Sequence, residues 1–326
     1  MKLSVIIVSW NCRSQIQNCL ESLAMSGIED FEIIVVDANS RDGTAAYLQD
    51  IAETDLARKL NLRLVLRDRK SNYSENNHLG ISIAKGDFLA ISNPDIIFND
   101  GFTKTLALAY ANPDCIVGPQ LVRPDGKFNY PCNLYTPLTL FCAGTVLGGT
   151  IDRMISPLSF IHRMSGRIRR SFQINTDNVH DVIRVPHVAA SLFILSRKLL
   201  DDKLGGRLWG NTFTWFCTDT DMFKRAESLG VKTLHDGRVR LIHETDYSGK
   251  IAGSKVKGFE IAYGQMEYVR RWNLHPRLVF SLFFLDALFA PIWLLIHRLS
   301  LRKSITLSAF RLKGALVPSR AFEMSS

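Results

Sequence analysis

The sequence predicts an α/β fold in which a mostly parallel sheet is flanked by helices, followed by a helical C-terminal region. Strand and helix patterns alternate with short connections from the first residues up to Gly118, an order typical of parallel sheets. Asp37 directly follows one of these strands, and Asp95 lies three residues beyond the end of another. Because open α/β sheets bind ligands at the carboxyl ends of their strands, these acids mark the expected site.

The first half of the chain supplies the elements of this sheet. Continuous apolar runs predict strands at Ser4–Trp10, Glu32–Val36, Leu62–Leu66 and Phe88–Ser92. Apolar residues at helical spacing predict helices at Ser14–Met25, Thr44–Ala57, Glu75–Ala84 and Phe102–Ala111.

The alternation ends after Gly118. Turn residues within Pro119–Asn133 predict a hairpin-like excursion. Further on, the pattern predicts a strand at Arg184–Leu195, a helix at Asp219–Leu229 and short strands at Lys232–Leu234 and Val239–Ile242. We expect a catalytic-type domain over residues 1–250 and a separate helical region over residues 251–326.

Composition narrows the class of partner. The 326 residues carry a net charge of +9 and are 46% hydrophobic, which suits a folded protein with an anionic partner such as nucleotide phosphates or a membrane surface. Neither zinc-knuckle spacing nor an RNP-type aromatic motif is present, so no nucleic-acid partner is expected. The six cysteines include no C-x-x-C pair, which favours reduced thiols in a cytosolic protein.

The segment Leu278–Ile296 is strongly apolar, but Asp286 and Pro291 interrupt it. On an insertion scale, the cost of these two residues offsets most of the apolar gain. Because basic residues flank both ends, we favour a helix pair lying in the cytoplasmic leaflet over a full span or a soluble helix. Met154–Arg170 is a second candidate for a membrane-facing element.

Polar side chains follow the first two predicted strands. Ser9 and Asn11 leave the first strand, and Asp37 and Asn39 leave the second. A carboxylate in this position can accept hydrogen bonds from ribose hydroxyls or a base N–H, with the amides and hydroxyl beside it. The first strand is followed by neither a G-x-G-x-x-G run nor a Walker lysine, which excludes the dinucleotide fingerprint and the P-loop.

The fourth predicted strand delivers Asn93-Pro94-Asp95. A carboxylate on a rigid strand end suits a hard divalent cation, Mg²⁺ or Mn²⁺, that is itself bound to substrate phosphates. Such an ion can stabilise a departing diphosphate.

These blocks resemble a known family when they are taken together. Ser4–Asn11, Ile34–Thr44 and Asn93–Asp95 are similar to the GT-A glycosyltransferases of family 2, a fold class of nucleotide-diphospho-sugar transferases. Val117–Leu121 and Pro124–Gly126 resemble its rhamnosyltransferase-like branch. The resemblance implies transfer of a sugar from a nucleotide-diphosphate donor to a glycan or lipid-linked acceptor, as in envelope or exopolysaccharide synthesis at the cytoplasmic face of the membrane.

The resemblance also assigns roles to individual residues. It implies donor binding by Ser9, Asn11, Asp37, Asn39, Asn93 and Asp95, metal binding by Asp95 and His243, and general-base catalysis by Asp219. A single base with no second nucleophilic acid favours inversion. Two structural alternatives remain open, since Asp219 is also a suitable helix cap and His243 a suitable core histidine.

Two departures from the family pattern leave a second function open. Asn93 stands where the first acid of a DxD motif is found, and Thr218 stands where a glutamate precedes the base. The alternative is a catalytically degenerate domain that binds nucleotide sugars as a membrane-tethered scaffold.

Overall fold

The structure is a computed structural model that describes residues 2–69, 71–129, 134–137, 140, 179–210, 217–244, 254–296, 309 and 312–317. The chain divides into two compact units. The first comprises Met1–Cys132, Ile174–Leu208 and Met222–Tyr247, and the second comprises Asn133–Gln173, Trp209–Asp221 and Ser248–Ser326. The domain boundary at residue 250 stays a prediction, but residues 209–221 group with the C-terminal region.

The first unit contains a sheet whose described strands number ten. In chain order they are β1 (Leu3–Ser9), β2 (Phe31–Asp37), β3 (Leu62–Leu66), β4 (Phe88–Ser92), β5 (Ile96–Ile97), β6 (Cys115–Val122), β7 (Phe128–Asn129), β8 (Val182–Val185), β9 (Leu192–Ser196) and β10 (Lys232–His243).

The described helices are α1 (Arg13–Met25), α2 (Thr44–Ile51), α3 (Asp55–Leu60), α4 (Tyr73–Ile83), α5 (Phe102–Ala111), α6 (Arg197–Asp202), α7 (Thr218–Ser228), α8 (Ser254–Arg271) and α9 (Pro276–Ile296). The unit division falls within α7, so its first turn, including Asp219, belongs to the second unit.

The sheet is mixed rather than mostly parallel. Its order is β3-β2-β1-β4-β9-β6-β10-β5, and β7 and β8 pair with β6 and β10. The first four strands in this order are parallel, as the alternating pattern predicted. Strand β9 then pairs antiparallel with both β4 and β6, which the sequence did not predict.

The core of the first unit explains why the parallel strands are apolar along their whole length. Helices cover the sheet, so the residues on both faces of the central strand β1 are buried, including Val5, Ile6 and Ile7. The close approach of α4 to β1 depends on a glycine, since a Cβ at Gly80 would lie 2.5 Å from the side chain of Ile6.

Four predicted elements were wrong in their extent. The predicted strand Arg184–Leu195 is two strands, β8 and β9, which pair with different partners. Pro186, which follows β8, lacks the N–H that would continue the hydrogen-bond ladder. The two short strands predicted after Gly230 form the single strand β10, with an irregularity between Asp236 and Arg240.

The helix predicted at Thr44–Ala57 is two helices, α2 and α3. They are separated at Thr54, whose hydroxyl donates to the carbonyl of Ile51. The hairpin-like excursion is confirmed as β6 and β7.

The second unit has its own small core. Met266 and Val269 of α8 pack with Val279 and Phe283 of α9 in a cluster that also contains Leu140 and Ala315. Leu278–Ile296 lies within the single helix α9 rather than a helix pair. Among the described residues, no helix has both the length and the apolar character that crossing a bilayer requires. Met154–Arg170 lies outside the described residues.

Candidate active site

The end of β1 is tied to the end of β2. The two strands are parallel and in register, with Ser9 opposite Asp37. The Ser9 hydroxyl donates to Oδ2 of Asp37 at 2.8 Å, and the Ala38 amide donates to the Ser9 carbonyl at 2.8 Å. The sheet therefore brings two of the predicted donor-binding residues together.

Asp37 is an internal anchor of this strand-end loop. Besides Ser9, the Ser40 amide donates to its Oδ1 at 2.9 Å and the Ser40 hydroxyl to its Oδ2 at 2.6 Å. With three hydrogen bonds and 1% of its surface exposed, the carboxylate has little capacity left for a ligand. Its predicted contact with the nucleoside stays a prediction, and Ser40 is a neighbour that the sequence did not single out.

Two asparagines shape the loops around this anchor. Asn11 and Asn39 both have positive φ, 48° and 61°, in the left-handed region that asparagine tolerates better than most residues. The Asn11 side chain accepts from the Arg41 amide at 2.8 Å, and the Asn39 side chain donates to the Asp68 carbonyl at 2.9 Å. Both predicted residues thus lie in one network at the carboxyl edge of the sheet.

The segment that follows β4 lies against the end of β10. The Asn93 amide donates to the Ser191 carbonyl at 2.8 Å, and the Glu244 amide donates to the Asp95 carbonyl at 2.9 Å. Strand β5, which follows Asp95, pairs with the last residues of β10. This pairing brings His243 to Asp95, with 3.2 Å between Nε2 and Oδ1.

The geometry of Asp95 and His243 fits a shared cation. Oδ1 of Asp95 is buried and makes no hydrogen bond within the described residues, although the His243 ring is close. Two neighbouring ligands at about 2.1 Å from one cation are roughly 3 Å apart when they lie at right angles to each other. The described residues contain no cluster of three or more metal-ligating side chains, so further ligands for a cation here are not found among them.

The predicted base lies in the second unit. Asp219 is in the first turn of α7, and its Oδ1 accepts the indole N–H of Trp209 at 3.1 Å. Burial raises the pKa of this carboxyl from 3.8 to about 6, although the bond from Trp209 opposes the rise. A carboxylate with such a pKa is suited to general-base catalysis near neutrality.

The position of Asp219 in α7 and the burial of Trp209 define the surroundings of the predicted base. Since α7 begins at Thr218, Asp219 is inside the helix rather than at its N-cap. Trp209 is 1% exposed, so its ring is a buried support for the acid.

Asp221 is held by residues that no sequence pattern indicated. It is 2% exposed, and its Oδ1 lies 2.9 Å from Trp272 Nε1 and 3.3 Å from Arg271 Nε. Nothing in the sequence spacing pointed to partners of Asp221 at the end of α8.

Comparison with known proteins places this chain in a family. Residues 4–199, more than half of the chain, match the family described as "Glycosyl transferase family 2". The chain belongs to glycosyl transferase family 2. This membership confirms the resemblance seen in the strand-end blocks, but it does not distinguish the rhamnosyltransferase-like branch.

Individual family 2 relatives match over shorter stretches. Glycosyltransferase GlyG of Streptococcus pneumoniae is 25% identical over 39% of this chain and 42% of its own length. The GalNAc(5)-diNAcBac-PP-undecaprenol beta-1,3-glucosyltransferase of Campylobacter jejuni is 30% identical over 32% of this chain and 33% of its own. The matches thus span less than half of the length of these curated relatives.

A solved structure supports the GT-A-like fold of this family 2 protein. The mannosyltransferase PcManGT from Pyrobaculum calidifontis, solved with GDP-Man and Mn²⁺, is similar with a TM-score of 0.55 over 97% of this chain and 86% of that chain. The two sequences are 14% identical, so this likeness concerns the fold alone.

Proposed function

We propose that this family 2 protein is an inverting glycosyltransferase of the hexosyltransferase type. It moves a sugar from a nucleotide-diphosphate donor to a glycan or lipid-linked acceptor in polysaccharide synthesis. The observation that carries the proposal is the pairing of Asp95 with His243 at the carboxyl edge of the sheet, where a buried carboxylate oxygen has no hydrogen bond within the described residues. Family 2 relatives that make polysaccharides and glycolipids, by their names, support the class of reaction.

Asp95 and His243 would hold the divalent cation, Mg²⁺ or Mn²⁺. When bound, the ion would neutralise charge on the donor diphosphate. The metal-containing mannosyltransferase structure supports this assignment by fold. Asn93 contributes no negative charge, so Asp95 is the acidic ligand that this strand end supplies.

The strand-end loops would bind the nucleoside. Asp37 anchors the loop between β2 and α2 through its bonds to Ser9 and Ser40. This leaves Asn11 and Asn39 on the same loops to present polar groups to the base or ribose. We propose that the role of Asp37 is chiefly to fix these loops in place.

Asp219 would be the general base. Its Oδ1 is bonded to Trp209, and we assign Oδ2 as the atom that takes the proton of the acceptor hydroxyl. The acceptor oxygen then bonds to the anomeric carbon while the bond from that carbon to the diphosphate oxygen breaks, and the nucleoside diphosphate leaves as an anion. Asp221 is held by Arg271 and Trp272, so it is not a nucleophile for a second displacement. A single displacement inverts the anomeric centre.

The acceptor and the location are also proposed. Leu278, Leu285 and Leu288 of α9 are 52%, 42% and 59% exposed, and they follow one another at helical spacing. Such a surface suits peripheral binding to the cytoplasmic face of the plasma membrane, close to lipid-linked acceptors. The Campylobacter jejuni relative, whose name describes an undecaprenol-linked substrate, supports an acceptor of this kind.

A panel of nucleotide sugars tests the proposal. The purified chain is incubated with UDP-, GDP- and dTDP-linked sugars, with Mn²⁺ or with EDTA, and release of the nucleoside diphosphate is measured with and without lipid-linked acceptors. We expect Mn²⁺-dependent release from one donor class, and its loss in Asp95→Asn. Mn²⁺-dependent nucleotide binding without release or transfer from any donor would contradict the enzyme and support the degenerate scaffold.

A further inference from the structure

The two acids in the first turn of α7 are held by side chains from two other segments of the second unit. Trp209 donates to Asp219, while Arg271 and Trp272, at the end of α8, bind Asp221. Both tryptophans use the indole N–H as donor, at 3.1 Å and 2.9 Å. The first turn of α7 is therefore fixed from both sides of the predicted base.

Arg271 also connects these two attachments to each other. A Cβ at Gly210 would lie 3.0 Å from Arg271 Nη1, so the guanidinium lies against the backbone that directly follows Trp209. Its Nε is 3.3 Å from Asp221. Arg271 therefore contacts both supports of this turn. Its guanidinium lies against Gly210, next to the Trp209 that binds Asp219, and its Nε lies near Asp221, two residues further along α7.

The end of α8 is built to hold this orientation. The Leu274 amide donates to the Val269 carbonyl at 2.9 Å, and the Asn273 amide to the Arg270 carbonyl at 3.3 Å. Asn273 has a φ of 49°, so the chain leaves the helix through a left-handed residue. Trp272 is thus the last residue before a fixed turn, with its amide still bonded to the Tyr268 carbonyl.

The start of α7 is itself a strained point that needs such support. Cys217, which directly precedes the helix, has a φ of 64°, unfavourable for a residue with a side chain. Its carbonyl nevertheless accepts the Asp221 amide at 2.9 Å. Surrounding contacts must maintain a conformation of this kind, and those of Asp221 with Arg271 and Trp272 are directly adjacent.

We infer that Arg271 and Trp272 are positioning residues that hold the first turn of α7, and with it Asp219, in its reactive placement. The inference rests on the proposed function of Asp219 as the base. It makes the C-terminal helices a contributor to catalysis rather than only an anchoring region. Because a misplacement of about 1 Å can cost about 10²-fold in rate, loosening this support lowers turnover without removing any reacting group.

Two variants test the inference, Trp272→Phe and Arg271→Met. Trp272→Phe keeps an aromatic ring but removes the indole N–H, and Arg271→Met keeps most of the aliphatic stem but removes the charge. We expect each to lower kcat about 10- to 100-fold, with KM for the donor within about twofold of wild type. Arg271→Lys, which keeps the charge, is expected to recover part of the loss.

The pH profile of kcat separates positioning from mere stability. Among the described residues, the titratable groups on this turn or bound to it are the Cys217 thiol, Asp221 and Arg271. Loosening the turn weakens the bond from Trp209, which favours the ionised form of Asp219, so the acid limb of kcat is expected to move to higher pH in both variants. The neighbouring Arg270 bonds the carbonyls of Ala315 and Val317, so Arg270→Met serves as the control that alters stability but not the profile.

The outcomes distinguish this inference from the proposed function. If wild type is active and Asp219→Asn is inactive, while both variants keep wild-type kcat and pH profile, the positioning role is wrong and the base assignment stands. A loss of thermal stability in the variants with an unchanged kcat also overturns the positioning role. If wild type releases nucleoside diphosphate from no donor, the proposed function fails and this inference fails with it.

Discussion

The strand-end loops of the first unit and the first turn of α7 in the second unit are held in different ways. In the first unit, Ser9, Asp37 and Ser40 meet because β1 and β2 are adjacent, parallel and in register. In the second unit, Asp219 and Asp221 are held by side chains of Trp209, Arg271 and Trp272, which no common sheet aligns. Strand pairing positions the predicted donor-binding residues, and side-chain contacts between distant segments position the predicted base and its neighbour Asp221.

Because of this difference, we expect the two regions to respond differently to the loss of a single side chain. The backbone hydrogen bonds between β1 and β2 extend along both strands. Losing one side chain in a strand-end loop therefore leaves the attachment of that loop to the sheet intact. The acids of α7 rely on a few long side chains, so each loss changes the position of the turn directly. Substitutions in both regions test this contrast.

The largest effect is expected for Asp219→Asn. Asparagine keeps an oxygen for the Trp209 N–H but cannot take the acceptor proton, so we expect kcat to fall by about 10³-fold or more. Donor KM should change little, because the residue is assigned to the proton transfer. Initial rates of sugar transfer measure the effect, and near-wild-type transfer would show that another group is the base.

The next largest effect is expected for Asp37→Ala. It leaves the buried Ser9 hydroxyl and the half-buried Ser40 donors without their acceptor, which should lower the free energy of unfolding by about 2–4 kcal/mol. Urea denaturation measures this change, and calorimetry should show weaker nucleotide binding. Asp50→Ala, at an exposed position on α2, is the control and should be neutral. Normal stability with lost binding would indicate instead that Asp37 serves the ligand alone.

A smaller effect is expected for Ser40→Ala. It removes the hydroxyl bond to Asp37 and the acceptor of the Asn11 amide, while the backbone bond to Asp37 and the parallel pairing remain. We expect a loss of about 1–2 kcal/mol in stability. Ser14→Ala, at an exposed position on α1, is the matched control. A loss as large as that of Asp37→Ala would mean that the loop depends on this serine rather than on the sheet register.

The smallest effect concerns stability and pH. Burial raises the pKa of folded Asp219 to about 6 from an ordinary value of 3.8, so the folded state binds this proton more tightly than the unfolded state. The penalty for ionisation is therefore full above pH 6 and disappears below about pH 4. Asp219→Asn should raise the melting temperature by about 2 °C at pH 8, and this gain should shrink as pH falls from 6 to 4. A gain that does not depend on pH would show that the carboxyl is not perturbed in the fold.

Sequence patterns predicted the half of the molecule that backbone pairing organises. The positions of β1 to β4 follow from apolar runs, and their parallel order follows from the alternation with helices. The carboxyl-edge location of Asp37 and Asp95 follows from that order alone. The approach of His243 to Asp95 was implied by resemblance, and the structure supplies its physical basis in the pairing of β5 with β10.

The remainder could not be predicted because it depends on contacts between segments far apart in sequence. The antiparallel strand β9 lies between β4 and β6 although its own sequence, Leu192–Ser196, is an apolar run like those of the parallel strands. Strand direction is not encoded in such a run. In the same way, Arg271 and Trp272 belong to a basic, aromatic helix end whose pattern says nothing about Asp221.

We propose a division of labour in which Asp95 and His243 hold the donor and Asp219 takes the proton of the acceptor hydroxyl. Calorimetric titration of a nucleoside diphosphate with Mn²⁺ into Asp95→Asn and Asp219→Asn, beside transfer rates for both, tests it most directly. We expect Asp219→Asn to bind the nucleotide as wild type does but to transfer sugar at least about 10³-fold more slowly, while Asp95→Asn loses Mn²⁺-dependent binding. Wild-type binding by Asp95→Asn, or loss of binding in Asp219→Asn, would contradict it.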